Sequence, residues 1–355
     1  MNRFRKNLDD FALPQINVPR RKLMMCLNES NLDPFETLKS EFLEKMKNVR
    51  INRYFSHVTD DILQKLSSYV GYGINEKQIV FGNGADDMLY FLFTAARENN
   101  DSFLVSFGPS YFDYKTYARA VGLKSDFVSL NDDFSFDEDK FIAKLKNPDC
   151  VLGILCNPNN PTGNLLPEDK MIKIITATDK PVLIDETYFE YSKKTFADRL
   201  NKYPNIIILR SFSKAYSSAG LRFGYLIGSE ENIINIKKVI PHFNSSILIQ
   251  AFVSVLLENK EIILSHTEKI ISERERVLKS LKEMPNMTVH PSQTNFLIFS
   301  IGERSQELFA YLEENEIAVR NVGNHPVLKN HLRVTVSTAD ENNIFLGKVR
   351  QFLEK

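Results

Sequence analysis

The sequence predicts an α/β fold: a large, mostly parallel sheet flanked by helices, followed by a smaller α+β unit at the C-terminal end. Three observations predict it. Short apolar runs alternate with longer helical patterns from about residue 78 to 228. The pattern changes after about Gly228, where a long helical stretch gives way to short strands. The chain has 355 residues, about two domains at roughly 150 residues each.

Taken in order, the expected strands are 78–81, 103–107, 151–156, 182–185, 206–210 and 223–227. Each is rich in β-branched or aromatic residues and bounded by turn residues or charges. Helical segments lie between them at 86–97, 114–121, 137–145 and 168–178. Strand–helix alternation of this kind builds a parallel sheet covered on both faces, with functional loops at the carboxyl ends of the strands. A helical stretch over 247–284, broken near Glu258 and Asn259, opens the second unit. Short strands at 295–299 and 331–336 flank a helix near 305–315. The expected division is an arm over 1–40 that wraps onto the small unit, a large unit over 41–245 and a small unit over 246–355.

Composition narrows the function classes. Lys plus Arg and Asp plus Glu balance at 45 each, so no global field draws the chain to nucleic acid or to an anionic membrane. No run of about 20 apolar residues is present, and Met1 to Asp10 lack an apolar signal core. The three cysteines, Cys26, Cys150 and Cys156, form neither a disulfide framework nor a zinc ribbon pattern. A cytoplasmic, globular, two-domain chain with no metal is the expectation, and composition says nothing of its chemistry.

Four segments carry chemistry. Arg210-Ser211-Phe212-Ser213-Lys214-Ala215-Tyr216 follows the strand at 206–210 and continues into Ala219-Gly220-Leu221-Arg222. A lysine beyond a strand end sits where a parallel sheet places ligands. It forms a Schiff base only when its amine sheds its proton, which partial burial favours. Ser211, Ser213 and Arg222 offer hydroxyl and guanidinium donors to a phosphate. Read alone, the segment is more readily a solvated loop with a structural arginine.

Cys156-Asn157-Pro158-Asn159-Asn160-Pro161-Thr162-Gly163 follows the strand at 151–156, where Asn160 presents an amide. Asp185 ends a buried apolar strand and is followed by Glu186-Thr187-Tyr188. A buried acid needs a partner, and a protonated ring nitrogen would be one; an acid capping the next helix is the alternative. Gly82-Asn83-Gly84-Ala85-Asp86-Asp87 lacks the third glycine of a dinucleotide fingerprint. The amides of Ala85 and Asp86 at a helix start suit a single phosphate.

Together and in this order, the four segments resemble the fold-type I pyridoxal-phosphate enzymes of the class I/II aminotransferases. Within them the chain is most similar to the histidinol-phosphate aminotransferases, over nearly its whole length. Leu27-Asn28-Glu29, Asn52-Arg53-Tyr54, Pro109-Ser110-Tyr111, Val319-Arg320 and Leu332-Arg333-Val334-Thr335-Val336 match motifs of that family. The resemblance implies the cofactor pyridoxal 5'-phosphate and amino transfer from histidinol phosphate to 2-oxoglutarate in histidine biosynthesis. Another amino-acid aminotransferase and a threonine-phosphate decarboxylase are the alternatives.

The resemblance also implies roles. Lys214 would hold the cofactor as a Schiff base and shuttle the proton. Asp185 would pair with the pyridine nitrogen. Tyr188 and Asn160 would bond the ring hydroxyl oxygen, and Tyr111 would stack on the ring. Ser211, Ser213, Arg222 and the amides of Ala85 and Asp86 would bind the phosphate. Tyr54 would reach the phosphate of a neighbouring subunit, which implies a homodimer. Arg320, Arg333 and Asn28 would face the substrate. The sequence departs from the family pattern twice: Ile16 stands where members carry an arm tyrosine, and Asn28-Glu29-Ser30-Asn31 lacks the usual proline.

Overall fold

A computed structural model describes residues 11, 18, 20–54, 57 and 60–355. The arm position Ile16 and most of the first 19 residues lie outside the described residues. In chain order the strands begin with β1 (Leu23–Met24), β2 (Ile79–Gly82), β3 (Phe103–Gly108) and β4 (Lys124–Ser129). They continue with β5 (Cys150–Cys156), β6 (Val182–Asp185), β7 (Ile206–Ser211) and β8 (Gly224–Gly228). The C-terminal ones are β9 (Thr288–Val289), β10 (Phe296–Ser300), β11 (Ile317–Ala318), β12 (Arg320–Asn321) and β13 (Leu332–Thr335).

The helices are α1 (Pro34–Met46), α2 (Ile62–Val70), α3 (Gly84–Ala96), α4 (Asp113–Val121), α5 (Glu138–Leu145) and α6 (Glu168–Thr176). After these come α7 (Phe189–Ser192), α8 (Glu230–Lys237), α9 (Ile247–Glu258), α10 (Lys260–Lys282), α11 (Ser305–Glu314) and α12 (Ala339–Leu353).

Seven strands form the large sheet in the order β2-β8-β7-β6-β5-β3-β4. The pairs from β4 through β7 are parallel, and only β8 runs against its neighbours. β5, β6 and β7 are buried at every position. Covered on both faces, they read as continuous apolar runs rather than as alternation. Each buried Val, Leu or Ile there is worth roughly 1.5–3 kcal/mol. The edge strand β4, Lys-Ser-Asp-Phe-Val-Ser, was not expected from the sequence. It pairs on one side only, and most of its residues are half-buried or exposed, so it lacks the apolar run that marks its neighbours.

Two packing features bear on the division of the chain. The segment at 247–258 was assigned to the small unit, yet α9 packs in the large core. Phe252 sits between Phe35 (5.9 Å) and Phe42 (5.1 Å) of α1, and Val253, Val255, Leu256 and Leu257 join the same cluster. The apolar face of α9 is too broad to be covered by α10 alone, so it docks on α1 and α2 as well. Likewise only part of the arm lies on the small unit. β1 pairs in parallel with β11, but from Pro34 the chain is helical and Leu38 is buried in the large core.

The small unit carries a four-stranded antiparallel sheet, β12-β13-β10-β9. It is backed by α10, α11 and α12 through Ile270, Val277, Leu281, Leu308, Leu312, Phe345 and Val349. Tyr188 and Ala215, both from the large sheet's functional loops, are buried in that second core. The two units therefore meet where the motif-bearing loops emerge.

Candidate active site

The carboxyl ends of β3, β5, β6 and β7 deliver Tyr111, Asn160, Asp185 and Lys214 to one side of the sheet. Asp185 is 4% exposed at the last position of β6. Its Oδ1 accepts from the Thr187 amide (3.0 Å) and hydroxyl (2.6 Å), and its Oδ2 accepts from the Tyr114 hydroxyl. All of these donors are neutral, and burial pushes the Asp185 carboxyl up. The sequence assigns no role to Thr187 or Tyr114. Tyr111 lies two residues before α4 and Tyr114 in its first turn; their rings meet edge to face at 5.3 Å.

Next to Asp185, Glu186 forms a buried ion pair with Arg210 (3.0 Å). Arg210 also lies 3.7 Å above the Phe189 ring. The pair ties the end of β6 to the strand that leads into Lys214. Removing one partner would leave a buried charge, at a cost of about 3–5 kcal/mol. Arg210→Met is therefore expected to lower the denaturation midpoint sharply, whereas Lys124→Met, which breaks the exposed pair Lys124–Asp101, should leave it nearly unchanged. Denaturant titration of both variants checks the contrast.

Lys214 is partly buried, and its Nζ donates to the Leu27 carbonyl (3.1 Å). Burial, and then the Arg333 guanidinium, hold its pKa down at about 8. The amine thus sheds its proton far more readily than an exposed lysine. Ser211 and Ser213 are buried beside it, with the Ser213 amide donating to Ser211 Oγ (3.1 Å).

Tyr188 is 3% exposed, and its hydroxyl accepts from Asn28 Nδ2 (2.9 Å). Asn28, expected to face a substrate, is itself 2% exposed and spends its side-chain amide on Tyr188. Asn160 Oδ1 accepts from Arg333 Nη1 (2.7 Å), and Arg333 Nη2 donates to the Cys26 carbonyl (2.9 Å). Arg333 Nε is buried without a partner, and Arg333 makes no ion pair among the described residues. Arg320 of β12 lies directly opposite Arg333 of β13, which places both side chains on one face of the sheet. Two cations so placed repel each other, and an anion between them relieves that.

A further cradle forms at the start of α3. Gly84 has φ +89° and packs against Arg222; a Cβ there would lie 2.6 Å from Nη2. Gly224 of β8 faces the same turn, and a Cβ on it would lie 2.3 Å from the Ala85 amide nitrogen. The first turn of α3 therefore rests on bare backbone, its amides free of intrahelical acceptors. An open cavity of about 490 Å³, lined by Asn83, Asp86, Asp87, Gly220, Leu221, Arg222 and Ile249, adjoins it. Arg222 gives Nη2 to Asp86 (2.7 Å) and Nη1 to the Ala219 carbonyl (3.3 Å). Three of its five N–H donors remain for an anion. Asp86 also accepts from the Tyr111 hydroxyl (3.2 Å), so the Asp86 side chain orders the two groups around it. Gly224→Ala must displace this turn. It is expected to cost about 1–3 kcal/mol of stability and to weaken phosphate binding, read by equilibrium dialysis of the cofactor.

The fold thus brings Lys214, Tyr188, Asn28, Asn160 and Arg333 into one hydrogen-bonded neighbourhood. It brings Tyr111, Asp86, Ala85 and Arg222 into a second beside it. Tyr54 joins neither: its ring is 75% exposed and stacks on Phe243 at 4.3 Å. Pyridoxal phosphate fits these groups. The α3 cradle matches a phosphate; among the described residues, the buried Asp185 carboxylate has no cationic partner and the Lys214 amine bonds only to a neutral carbonyl.

Comparison with known proteins adds to this geometry. The sequence profile described as "Aminotransferase class I and II" matches residues 20–349. The chain is 31% identical to the histidinol-phosphate aminotransferase of Clostridium kluyveri over 99% of both chains. It is 35% identical to that of Thermococcus kodakarensis over 93% of both. Among solved structures, the histidinol-phosphate aminotransferase of Sinorhizobium meliloti in complex with pyridoxal-5'-phosphate superposes with a TM-score of 0.87. It is 21% identical and covers 100% of this chain and 98% of its own.

Proposed function

Because the chain belongs to the class I and II aminotransferases and is a pyridoxal-phosphate-dependent transaminase, we propose that it converts L-histidinol phosphate and 2-oxoglutarate to imidazole acetol phosphate and L-glutamate. The reaction belongs to histidine biosynthesis. Full-length relatives of that name support this reading. The structural observation that carries it is the opposed pair Arg320 and Arg333, with Arg333 buried and lacking an acid partner. Such a pair holds the phosphate of one substrate and a carboxylate of the other.

Bound pyridoxal phosphate supplies an aldehyde that captures amines and a ring that withdraws electrons from the amino donor's Cα. Lys214 would take the proton from Cα as base and give it back as acid two atoms away, across the nitrogen. Asp185, fixed by Thr187 and Tyr114, would hold the ring nitrogen protonated. Tyr188, oriented by Asn28, and Asn160, oriented by Arg333, would bond the ring hydroxyl oxygen. Tyr111 would cover the ring face. Ser211, Ser213, Arg222 and the first amides of α3 would hold the phosphate.

The assembly and location complete the reading. A homodimer is supported by Tyr54, which is 75% exposed, stacked on Phe243 and apart from its own subunit's cradle. A cytoplasmic location is supported by three free, buried cysteines. The small unit is best taken to start within α10, since α9 belongs to the large core.

The test is an amino-donor panel with 2-oxoglutarate as acceptor, comparing histidinol phosphate, phenylalanine, tyrosine and glutamate. Histidinol phosphate is expected to give the highest kcat/KM. Preference for an aromatic amino acid, or release of carbon dioxide from threonine phosphate, overturns the assignment of the donor. Borohydride reduction followed by peptide mapping is expected to place the pyridoxyl group on Lys214.

A further inference from the structure

The segment from Met25 to Leu32 has no regular structure, yet four consecutive carbonyls in it each accept a donor from the site. Met25 O accepts from the Thr335 amide (2.9 Å), Cys26 O from Arg333 Nη2 (2.9 Å), Leu27 O from Lys214 Nζ (3.1 Å) and Asn28 O from Asn295 Nδ2 (3.0 Å). Asn28 adds its side-chain bond to Tyr188 and an amide bond to Thr335 Oγ1. The segment therefore carries the orientation of Tyr188 and one contact of the lysine amine. Those bonds fix it against the small sheet and Lys214.

A separate set of bonds fixes its far end. Ser30 Oγ accepts from Ser217 Oγ (2.7 Å) and from the Leu32 amide (3.2 Å), and meets His266 Nε2 at 3.1 Å. A serine hydroxyl has two acceptor sites and one donor. With both acceptor sites filled by Ser217 and Leu32, the Ser30 hydrogen is left for His266, whose Nε2 must accept it. Ser217 lies three residues beyond Lys214 at φ +54°, and His266 lies on α10. Burial, and then Lys269, push the His266 imidazole down, which favours the neutral accepting form. Ser30 stands in the stretch where the sequence lacks the usual proline of the family it resembles.

We infer that Ser30, Ser217 and His266 form a hydrogen-bonded pin that positions the segment 27–32, and through it Asn28 on Tyr188 and the Leu27 carbonyl on Lys214. The three are positioning residues; none is a catalytic residue. The pin joins the lysine loop of the large unit to α10 across the N-terminal segment. Its loss loosens the segment without removing any group that touches the reacting atoms.

The inference rests on the aminotransferase reading but not on the identity of the amino donor. Amide hydrogen exchange, measured on the cofactor-loaded chain without substrate, tests it. His266→Phe and Ser30→Ala are expected to speed exchange at residues 28–32 and leave the strands of the large sheet unchanged. With the donor that the panel selects, kcat is expected to fall roughly three- to tenfold, the effect of one lost hydrogen bond, while KM stays within about twofold. His266→Gln, which keeps a neutral acceptor, is expected to restore both values. Ser217→Ala repeats the test should either of the first two variants fail to fold. Unchanged exchange, faster exchange with unchanged kcat, or no rescue by glutamine overturns the proposal.

Discussion

Lys214→Ala is expected to abolish turnover, with kcat/KM down by at least about a thousand-fold, since positioned proton transfer alone is worth roughly 10²–10⁴. The same variant is expected to lose the borohydride-stable adduct. Among the described residues, no other lysine acts on Lys214: its contacts are the Leu27 carbonyl and the fields of Arg333, Glu29, Asp86 and Arg222. An exogenous small amine is expected to return part of the activity, because the remaining groups are intact. In the parent chain, capture of added pyridoxal phosphate should accelerate about tenfold per pH unit and level off above about pH 8. The sign follows from the lowered pKa of about 8: below it the amine is protonated and is no nucleophile. At pH 7 roughly a tenth of it is free, against roughly one part in three thousand for an ordinary lysine. Capture that keeps rising to pH 10, or an active Lys214→Ala, would sink the assignment.

Asp185→Asn is the second large effect. The side chain keeps its shape and can still meet Thr187 and Tyr114, but it cannot balance a protonated ring. Breaking a buried charge pair costs about 3–5 kcal/mol. Expressed in the transition state, that is on the order of a hundred- to several-thousand-fold in kcat. Tyr114→Phe removes one hydrogen bond to a charged acceptor, about 1.5–3 kcal/mol, so its loss should be smaller. The ranking is informative. If Tyr114→Phe cost as much as Asp185→Asn, the carboxylate would be acting mainly as a structural anchor for α4. Steady-state kinetics at saturating cofactor, with the bound fraction measured by absorbance, separates weakened binding from slowed chemistry. A kcat within fivefold of the parent for Asp185→Asn would refute the ring-nitrogen role.

Much of this site was legible in the linear sequence because each of its chemical groups sits in a short segment at a strand end. An apolar run followed by Asp185, or by Ser211 to Lys214, states both the strand and the group it delivers. Periodicity reaches that far because burial on both faces forces a continuous apolar run. It fails at β4, an edge strand that buries little, and at α9, whose apolar face matches either unit equally well. It also misses Tyr114, since nothing in the sequence around a buried tyrosine says that its hydroxyl will meet a carboxylate 71 positions away.

The sequence by itself determined the strand–helix order, the loops that bear Lys214, Asp185 and Asn160, and thereby the class of chemistry. Tertiary structure alone decided how those groups are held. It laid Met25–Leu32 over the lysine, turned Asn28 toward Tyr188 rather than outward, gave Asp86 to Arg222, and set Arg320 opposite Arg333. The physical reason is one of range. A strand and its terminal residue are specified by neighbours a few positions apart. A buried hydrogen bond needs a partner brought in from anywhere along the chain, 187 positions away for Lys214 and Leu27, and only the packed core fixes which one arrives.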